Sequence, residues 1–281
     1  MPQRSWVVIT GCSSGIGLSC VKKFLGEGYS VLGTYRNLEK SNSLIASLGD
    51  NFIAIQLDIS REDSIMQASK EIEQIITSSK GYLACLINNA GIAVGGPLKY
   101  IDIRALKRQF EVNVFGLMHF TQMLLPLMGG KHENRKKRIF NMSSVSGKFS
   151  NPFLGPYAGS KFALEALSDA LRLELKLFDI GVTLIEPGPI STPIWDKSIS
   201  VIDQYAHTEY APYIDQVNQM INTLKKEALS AEHVANLIYK SWKKSKPDIR
   251  ILIVKHPWLL NLFLRIVPDR LKDWINLSRL K

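Results

Sequence analysis

With 281 residues, 46% of them hydrophobic, the chain has material for a sizeable core, which excludes a disordered or low-complexity protein. Its formal charge of +10 is uneven: residues 240–281 hold eleven Lys and Arg against three Asp and Glu, a net of +8, and residues 131–138 form a second basic run. No recognised nucleic-acid motif accompanies either run, so no nucleic-acid partner is expected, and 131–138 reads as solvated loop and helix face.

The cysteines Cys12, Cys20 and Cys85 show neither metal-ligand spacing nor a disulfide framework. No metal site is expected, and the compartment reads as reducing, hence cytoplasmic. No signal peptide is expected either, because strand-like Trp6-Val7-Val8-Ile9-Thr10 starts almost at the first residue. No apolar run is long enough to span a bilayer. The length suits one α/β domain over residues 1–281.

Residues 5–10 form a short apolar run rich in β-branched residues, as in a buried parallel strand. It ends in Gly11-Cys12-Ser13-Ser14-Gly15-Ile16-Gly17, and a helix pattern follows through Val21, Phe24 and Leu25. Strand, glycine loop and helix together bring backbone N–H groups and a helix N-terminus against a pyrophosphate. The spacing is G-x-x-x-G-x-G rather than G-x-G-x-x-G. Alternation then continues: strand 30–35, helix 38–48, strand 52–57, helix 62–77 and strand 83–87. A long helix is expected within 102–128, interrupted late by Pro126, then strand 138–142, a helix opened by Tyr157 and running to about Phe178, and strand 182–185. This order predicts an α/β fold: a Rossmann-type, doubly wound parallel sheet with helices on both faces and its site at the carboxyl edge.

Two further features point to chemistry. The second strand ends Gly33-Thr34-Tyr35-Arg36 with no acid before Arg36. An acid there would bind a ribose 2′-hydroxyl, whereas an arginine accommodates a 2′-phosphate, so NADP(H) is favoured over NAD(H). Tyr157 and Lys161 stand four apart, one helical turn on one face. An ammonium beside a phenol favours the phenolate, as a general acid/base for an alcohol/ketone pair needs.

With these pieces in line, the chain resembles the short-chain dehydrogenase/reductase family, strongly over residues 5–192. Thr10 to Gly17 resembles its cofactor loop, Asn88-Asn89-Ala90-Gly91 its fourth-strand motif, and Pro187-Gly188-Pro189-Ile190-Ser191-Thr192 the segment over the nicotinamide. Asn113 stands where the family has its active-site asparagine, Asp58 matches the acid that meets the adenine, and Ser144 precedes Tyr157 by thirteen residues, as the catalytic serine does. Gly159 departs mildly, since Ala is commoner there.

The resemblance implies a catalytic set of Asn113, Ser144, Tyr157 and Lys161. Tyr157 would exchange the proton of the substrate oxygen and Ser144 would hold that oxygen. Lys161 would favour the tyrosinate and bind ribose hydroxyls, and Asn113 would help hold a water linking Lys161 to solvent. The implied cofactor contacts are Gly11, Ser13, Ser14, Gly15, Ile16, Gly17, Arg36, Asp58, Ile59, Asn88, Ala90, Gly91, Tyr157, Lys161, Pro187, Gly188, Ile190 and Thr192. In texture the chain is most similar to members acting on retinoids, steroids and similar hydroxy-lipids. Family members often pair through the helices at 102–128 and 157–178, so a homodimer is expected, with a tetramer as the larger alternative.

After Thr192 the family pattern dissolves. Residues 193–227 are expected to form the substrate lid, with Trp195, Tyr205, Tyr210, Tyr213 and Met220 either facing an apolar substrate or packing the lid down. His207 reads as an exposed loop histidine. Ser230 is a candidate N-cap for a following helix, and 249–254 a last strand. Residues 256–281 mix apolar and basic side chains, and Pro268 divides them into two short helices at most. That segment is expected to pack on the body or on a second subunit; peripheral contact with an anionic membrane is the other reading.

The expected function is NADP(H)-dependent interconversion of a ketone or aldehyde with an alcohol, on an apolar, lipid-like substrate. A 3-oxoacyl-thioester reductase is the alternative enzyme. A non-catalytic NADP-binding regulatory or scaffold protein is the alternative of another class, and intact Ser144, Tyr157, Lys161 and Asn113 argue against it.

Overall fold

The computed structural model describes residues 4–129, 135–194, 203–278 and 280. Seven strands build one sheet: β1 (Ser5–Ile9), β2 (Ser30–Tyr35), β3 (Phe52–Gln56), β4 (Tyr82–Asn88), β5 (Lys137–Met142), β6 (Ile180–Pro187) and β7 (Arg250–Ile253). Their order is β3-β2-β1-β4-β5-β6-β7 and every pairing is parallel. The order runs outward both ways from β1 and β4, so the chain reverses direction between them and leaves a crevice at their carboxyl ends.

Alternate strand residues serve opposite faces. Val8, Leu32, Leu86, Ile139 and Val182 pack in one core with α3 (Glu62–Ser78), α5 (Gly116–Leu124) and α6 (Gly155–Leu175). Val7, Ile9, Val31, Ile87, Phe140 and Ile185 pack in the other with α1 (Gly15–Gly26) and the helix Ala231–Lys243. The period of two in a strand thus feeds two cores, and the continuous apolar runs follow from burial on both sides.

Several elements differ from the sequence expectation. In place of a helix over 38–48 there is a single turn, Glu39–Ser41, and a short α2 (Asn42–Ala46). Asn37 Oδ1 caps the turn by accepting from Lys40 N at 3.0 Å, and Ser47 Oγ donates to the Leu44 carbonyl at 2.6 Å. Serines and asparagines that compete for backbone groups in this way shorten a helix. The stretch 102–128 divides into α4 (Ile103–Phe110), a π-turn (Glu111–Phe115), α5, and a 3₁₀ turn (Leu125–Met128) that contains Pro126. A Cβ at Gly116 would stand 1.9 Å from the Ile59 carbonyl, so only glycine lets α5 approach the loop after β3.

The basic run at 131–138 was expected to be solvated; 131–134 lie outside the described residues, and its end is buried. Lys137 and Arg138, each 2% exposed, belong to β5. Lys137 Nζ donates to the Phe178 carbonyl at 3.0 Å, and the Arg138 guanidinium donates to the Ser241 and Lys244 carbonyls. Long side chains from a strand end here satisfy carbonyl groups at the ends of neighbouring elements, which a charge count along the sequence does not reveal.

After β6 come a turn at Asp203–Tyr205, α7 (Ala211–Lys226), α8 (Ala231–Lys243), α9 (Pro257–Ile266) and α10 (Asp269–Ser278). Ser230 caps α8, its Oγ accepting from His233 N at 3.1 Å. Pro268 separates α9 from α10, and neither helix contains a buried residue. Leu260, Phe263, Leu264 and Ile275 are half-buried, and the sheet faces are covered by α1 and α8 and by α3, α5 and α6. No helix among the described residues is long and apolar enough to cross a membrane.

Candidate active site

The carboxyl ends of the strands surround a cavity of about 550 Å³. The loop after β1 supplies Gly11, Ser13, Ser14, Gly15 and Ile16. It is held in place from two sides. Gly11 N donates to Thr34 Oγ1 at 3.2 Å, and Asn89 Nδ2 donates to the Thr10 and Gly11 carbonyls at 2.9 and 3.1 Å. Thr10 Oγ1 in turn accepts from Asn89 N and Ala90 N, both at 2.9 Å. Gly17 lies behind the wall: a Cβ there would come within 2.2 Å of the Gly11 carbonyl, so the first turn of α1 folds against its own loop only with glycine. The loop thereby presents the start of α1 to the cavity, where unpaired N–H groups suit a phosphate.

Arg36 follows β2 and lines the cavity with Asp58 and Ile59 from the loop after β3. Asp58 Oδ1 accepts from Ser60 N and Oγ at 3.1 and 2.7 Å. Burial works to raise its pKa, but the Ser60 hydrogen bonds and the Arg108 and Arg36 guanidinium charges outweigh that and hold it below the usual carboxylate range. Arg108, on α4, is a second cation on the cavity wall that sequence reasoning missed. Its signal was a basic residue on the outer face of a predicted helix, which ordinarily means solvent.

From β4 the wall receives Ala90 and Gly91, together with Asn89, Ile92, Ala93 and Val94. Asn88 does not reach it. It is 1% exposed and donates to Thr121 Oγ1 at 2.8 Å and Asn141 Oδ1 at 2.9 Å, while Asn141 Nδ2 donates to Ser168 Oγ at 2.9 Å. This buried ladder ties β4 and β5 to α5 and α6. Asn113 is also behind the wall. In the π-turn its amide accepts from Ile92 N at 2.9 Å and donates to the Ile92 carbonyl at 3.0 Å and Ser160 Oγ at 3.2 Å. Gln109 does the same one turn earlier, accepting from Val94 N at 2.7 Å and donating to the Ile92 carbonyl at 2.8 Å. The two amides clamp the loop after β4 to α6 between Tyr157 and Lys161.

Ser144, Tyr157 and Lys161 meet at one end of the cavity. Ser144 begins the turn after β5, its Oγ accepting from Ser146 N at 3.1 Å and donating to the Pro187 carbonyl at 3.4 Å. Lys161, 4% exposed, lies along α6 with Nζ 2.7 Å from the Met142 carbonyl and 5.7 Å from the Tyr157 ring centroid. Burial works against the expected depression of the Tyr157 pKa. Desolvation pushes Tyr157 above its ordinary value, opposed by a hydrogen bond with Ser144. Desolvation likewise pulls Lys161 from 10.5 down to about 8, opposed by the Glu165 charge one turn on. The walls disfavour both charges, so the cation whose field was to stabilise a phenolate is itself weakened.

Behind Lys161, the buried Glu165 belongs to a charge cluster whose cations are half-buried. Arg250 Nε stands 3.1 Å from both Glu165 Oε2 and Glu186 Oε1, and Lys148 Nζ is 3.0 Å from Glu186 Oε2. Burial raises the Glu186 pKa against those two cations. The cluster joins α6, β6, β7 and the turn after β5, and so fixes the helix that carries Tyr157.

The segment after β6 closes the ring with Pro187, Gly188, Ile190, Thr192, Pro193 and Ile194. It is pinned by Leu229 N to the Pro189 carbonyl at 3.0 Å and Ser191 N to the Leu229 carbonyl at 2.9 Å. Tyr205, Tyr210 and Tyr213 do not line the cavity. Tyr205 packs with Phe153, Ile214, Val217 and Ile221, and Tyr210 stacks edge-on against Phe153 with centroids 5.7 Å apart. His207 and Tyr213 are exposed, Met220 is half-buried, and Trp195 lies outside the described residues.

A glycine loop at a helix start, an arginine after β2 and an acid after β3 fit the phosphates, ribose and adenine of a nicotinamide dinucleotide. The serine, tyrosine and lysine fit an alcohol/carbonyl pair. Together they define a dinucleotide-dependent oxidoreductase of open parallel-sheet type. The short chain dehydrogenase family model matches residues 5–201. An NADPH-dependent 3-dehydrocapnine reductase from Ornithobacterium rhinotracheale is 35% identical over 277 residues, covering 98% of this chain and 97% of that protein. A 3-ketodihydrosphingosine reductase from Bacteroides thetaiotaomicron is 32% identical, covering 88% of this chain and 87% of its own. Human retinol dehydrogenase 8 is 34% identical over 70% of this chain and 62% of its own. Among solved structures, a short-chain dehydrogenase from Streptomyces avermitilis superposes with a TM-score of 0.77 at 26% identity, covering 99% of this chain and 98% of that one. The chain belongs to the short-chain dehydrogenase/reductase family. It is an oxidoreductase acting on CH–OH/C=O groups with a nicotinamide dinucleotide.

Proposed function

We propose that the protein is an NADPH-dependent reductase of a ketone or aldehyde on an apolar, lipid-like substrate, with the reverse oxidation open to it. The observation that carries this reading is the convergence of Ser144, Tyr157 and Lys161 on a cavity whose other end holds Arg36 and Arg108 but no acid at the end of β2. The dinucleotide, when bound, supplies the hydride. The chain's own groups handle the oxygen: Tyr157 donates its phenolic proton to the forming alkoxide, and Ser144 Oγ turns its proton from the long bond to the Pro187 carbonyl to the same atom. Lys161 restores the tyrosine proton and binds ribose hydroxyls, and Asn113 holds the loop beside it. The water outlet assigned to Asn113 rests on the family resemblance.

Apolar lining from Ile92, Val94, Met142 and Ile194 supports a lipid-like substrate, as do relatives named for sphingosine and retinol. NADPH oxidation against retinoid, steroid, 3-keto long-chain base, 3-oxoacyl-thioester and small-ketone substrates tests the reading. Turnover highest on the apolar lipid ketones is expected. Preference for acyl thioesters would move the assignment to an oxoacyl reductase, and no turnover on any carbonyl would leave a dinucleotide-binding protein without catalysis.

Arg36 and Arg108 are the assigned partners of the NADP 2′-phosphate. Arg36→Asp is expected to lower kcat/KM for NADPH by at least about tenfold, the scale of one charge-assisted contact, and to improve NADH. An unchanged NADPH/NADH ratio in steady-state kinetics would remove the assignment.

Exposed Phe115 and Met123 beside α5 and Phe162, Leu167 and Leu173 on α6 support a homodimer through these two helices. The free, buried cysteines support a reducing, cytoplasmic compartment.

A further inference from the structure

The two C-terminal helices carry apolar side chains that no described residue covers. Trp258, Leu262 and Ile266 recur every fourth residue along α9 and so share one face; they are 68%, 48% and 68% exposed. On α10, Leu271, Trp274 and Leu277, spaced three apart, are likewise exposed. Lys272 Nζ donates to the Leu264 carbonyl at 3.3 Å and ties the two helices together. The chain end then returns to the body, where Leu280 packs against the lid cluster around Tyr205.

Charge decides what covers this surface. Residues 255–281 contain six Lys and Arg and two Asp. A second copy of the tail would set cations against cations, which like-charge repulsion opposes. An anionic bilayer offers apolar depth for the leucines, an interface for the two tryptophans and opposite charge for the lysines and arginines. At ten residues each the helices are too short to span, so they lie in the plane of the surface.

We propose that α9 and α10 form a two-helix anchor that docks the protein on an anionic phospholipid surface. Docking does not depend on the reaction proposed above, and it is read by binding alone. Because the chain end meets the lid cluster, the docked tail places the lid beside the bilayer, where an apolar substrate resides.

Flotation of the full chain with vesicles of phosphatidylcholine, alone or mixed equally with phosphatidylglycerol, tests the proposal. The wild type is expected to float with the mixed vesicles and to stay down with the neutral ones. Trp258→Ser/Trp274→Ser is expected to need at least about tenfold more anionic lipid for the same bound fraction. Both tryptophans are largely exposed, so its unfolding midpoint should match the wild type. Arg265→Glu/Arg270→Glu is expected to abolish flotation. A wild type that stays down with anionic vesicles would overturn the anchor, as would a tryptophan variant that floats equally well. So would a tail-dependent dimer, lost in the tryptophan variant, in a protein that binds no lipid.

Discussion

Tyr157→Phe is expected to lower kcat by about three orders of magnitude while leaving NADPH affinity within a factor of about two. The estimate is the usual range for removing a positioned acid/base. Tyr157 exposes part of its surface to the cavity and interacts with Ser144, so its hydroxyl is available to a substrate oxygen. The dinucleotide contacts assigned to the loop after β1 and to Arg36 are untouched by the change. Ser144 keeps Ser146 N and the Pro187 carbonyl as partners, so the site does not collapse. Steady-state rates with saturating NADPH, paired with fluorescence titration of the cofactor, separate the two effects. A variant within about tenfold of wild-type kcat would remove Tyr157 as the proton donor. Burial places Tyr157 above its ordinary value, which keeps the phenol in its protonated, donor form in the neutral range.

The sheet was readable because each strand is a short apolar run between glycine-rich or capped turns, and burial on both faces leaves no competing pattern. β1, β2 and β3 end within a residue of their expected limits. β5 also begins within a residue of its expected start, at Lys137, where two cations find backbone carbonyls, whereas β6 extends two residues past its expected limits at each end. Asn88 shows a second limit. Of two adjacent asparagines, the alternation of the strand sends Asn88 into the core, and Asn89, just past the strand end, turns to the glycine loop. The resemblance alone did not separate them. Asn113 lies in a π-turn, and five-residue turns leave no mark in a 3.6-residue pattern. Arg108, Gln109, Glu165, Glu186 and Arg250 were invisible for a common reason. Their importance arises from meetings across elements far apart in sequence, whereas spacing reports only neighbours.

That distinction also explains the division within the molecule. The groups assigned to the hydride-transfer site follow from contacts near strand ends, which parallel-sheet topology forces together. The groups assigned to substrate choice and location lie after Thr192, where, among the described residues, the chain enters the sheet only at β7. There Tyr205 and Tyr210 follow the packing alternative for the lid aromatics, pressed against Phe153 of the body. The structure also leaves the tail helices with their apolar faces outward.

Lys161→Met should be inactive, and yet more stable than the wild type at pH 7. Lys161 has an ordinary pKa of 10.5 and a folded value of about 8, with burial as the first cause and Glu165 opposing it. The folded value is the lower one, so between about 8 and 10.5 the unfolded chain binds more protons and stability rises with pH. Below that window the native state carries the full cost of holding the ammonium out of water. The shift corresponds to about 3 kcal/mol. Met keeps the aliphatic stem and removes the charge, but it also removes the bond to the Met142 carbonyl, whose loss costs about 1 to 2 kcal/mol. The balance at pH 7 is a gain of about 1 to 2 kcal/mol in the ligand-free variant. At pH 10.5 the wild-type amine is neutral when folded and still bonded, so the order should reverse. Urea unfolding of both proteins across this range reads the difference, because titrating groups remote from Lys161 cancel between them. A variant less stable than the wild type at every pH would mean that the ammonium is well compensated in its pocket, and that the site stores no strain in Lys161.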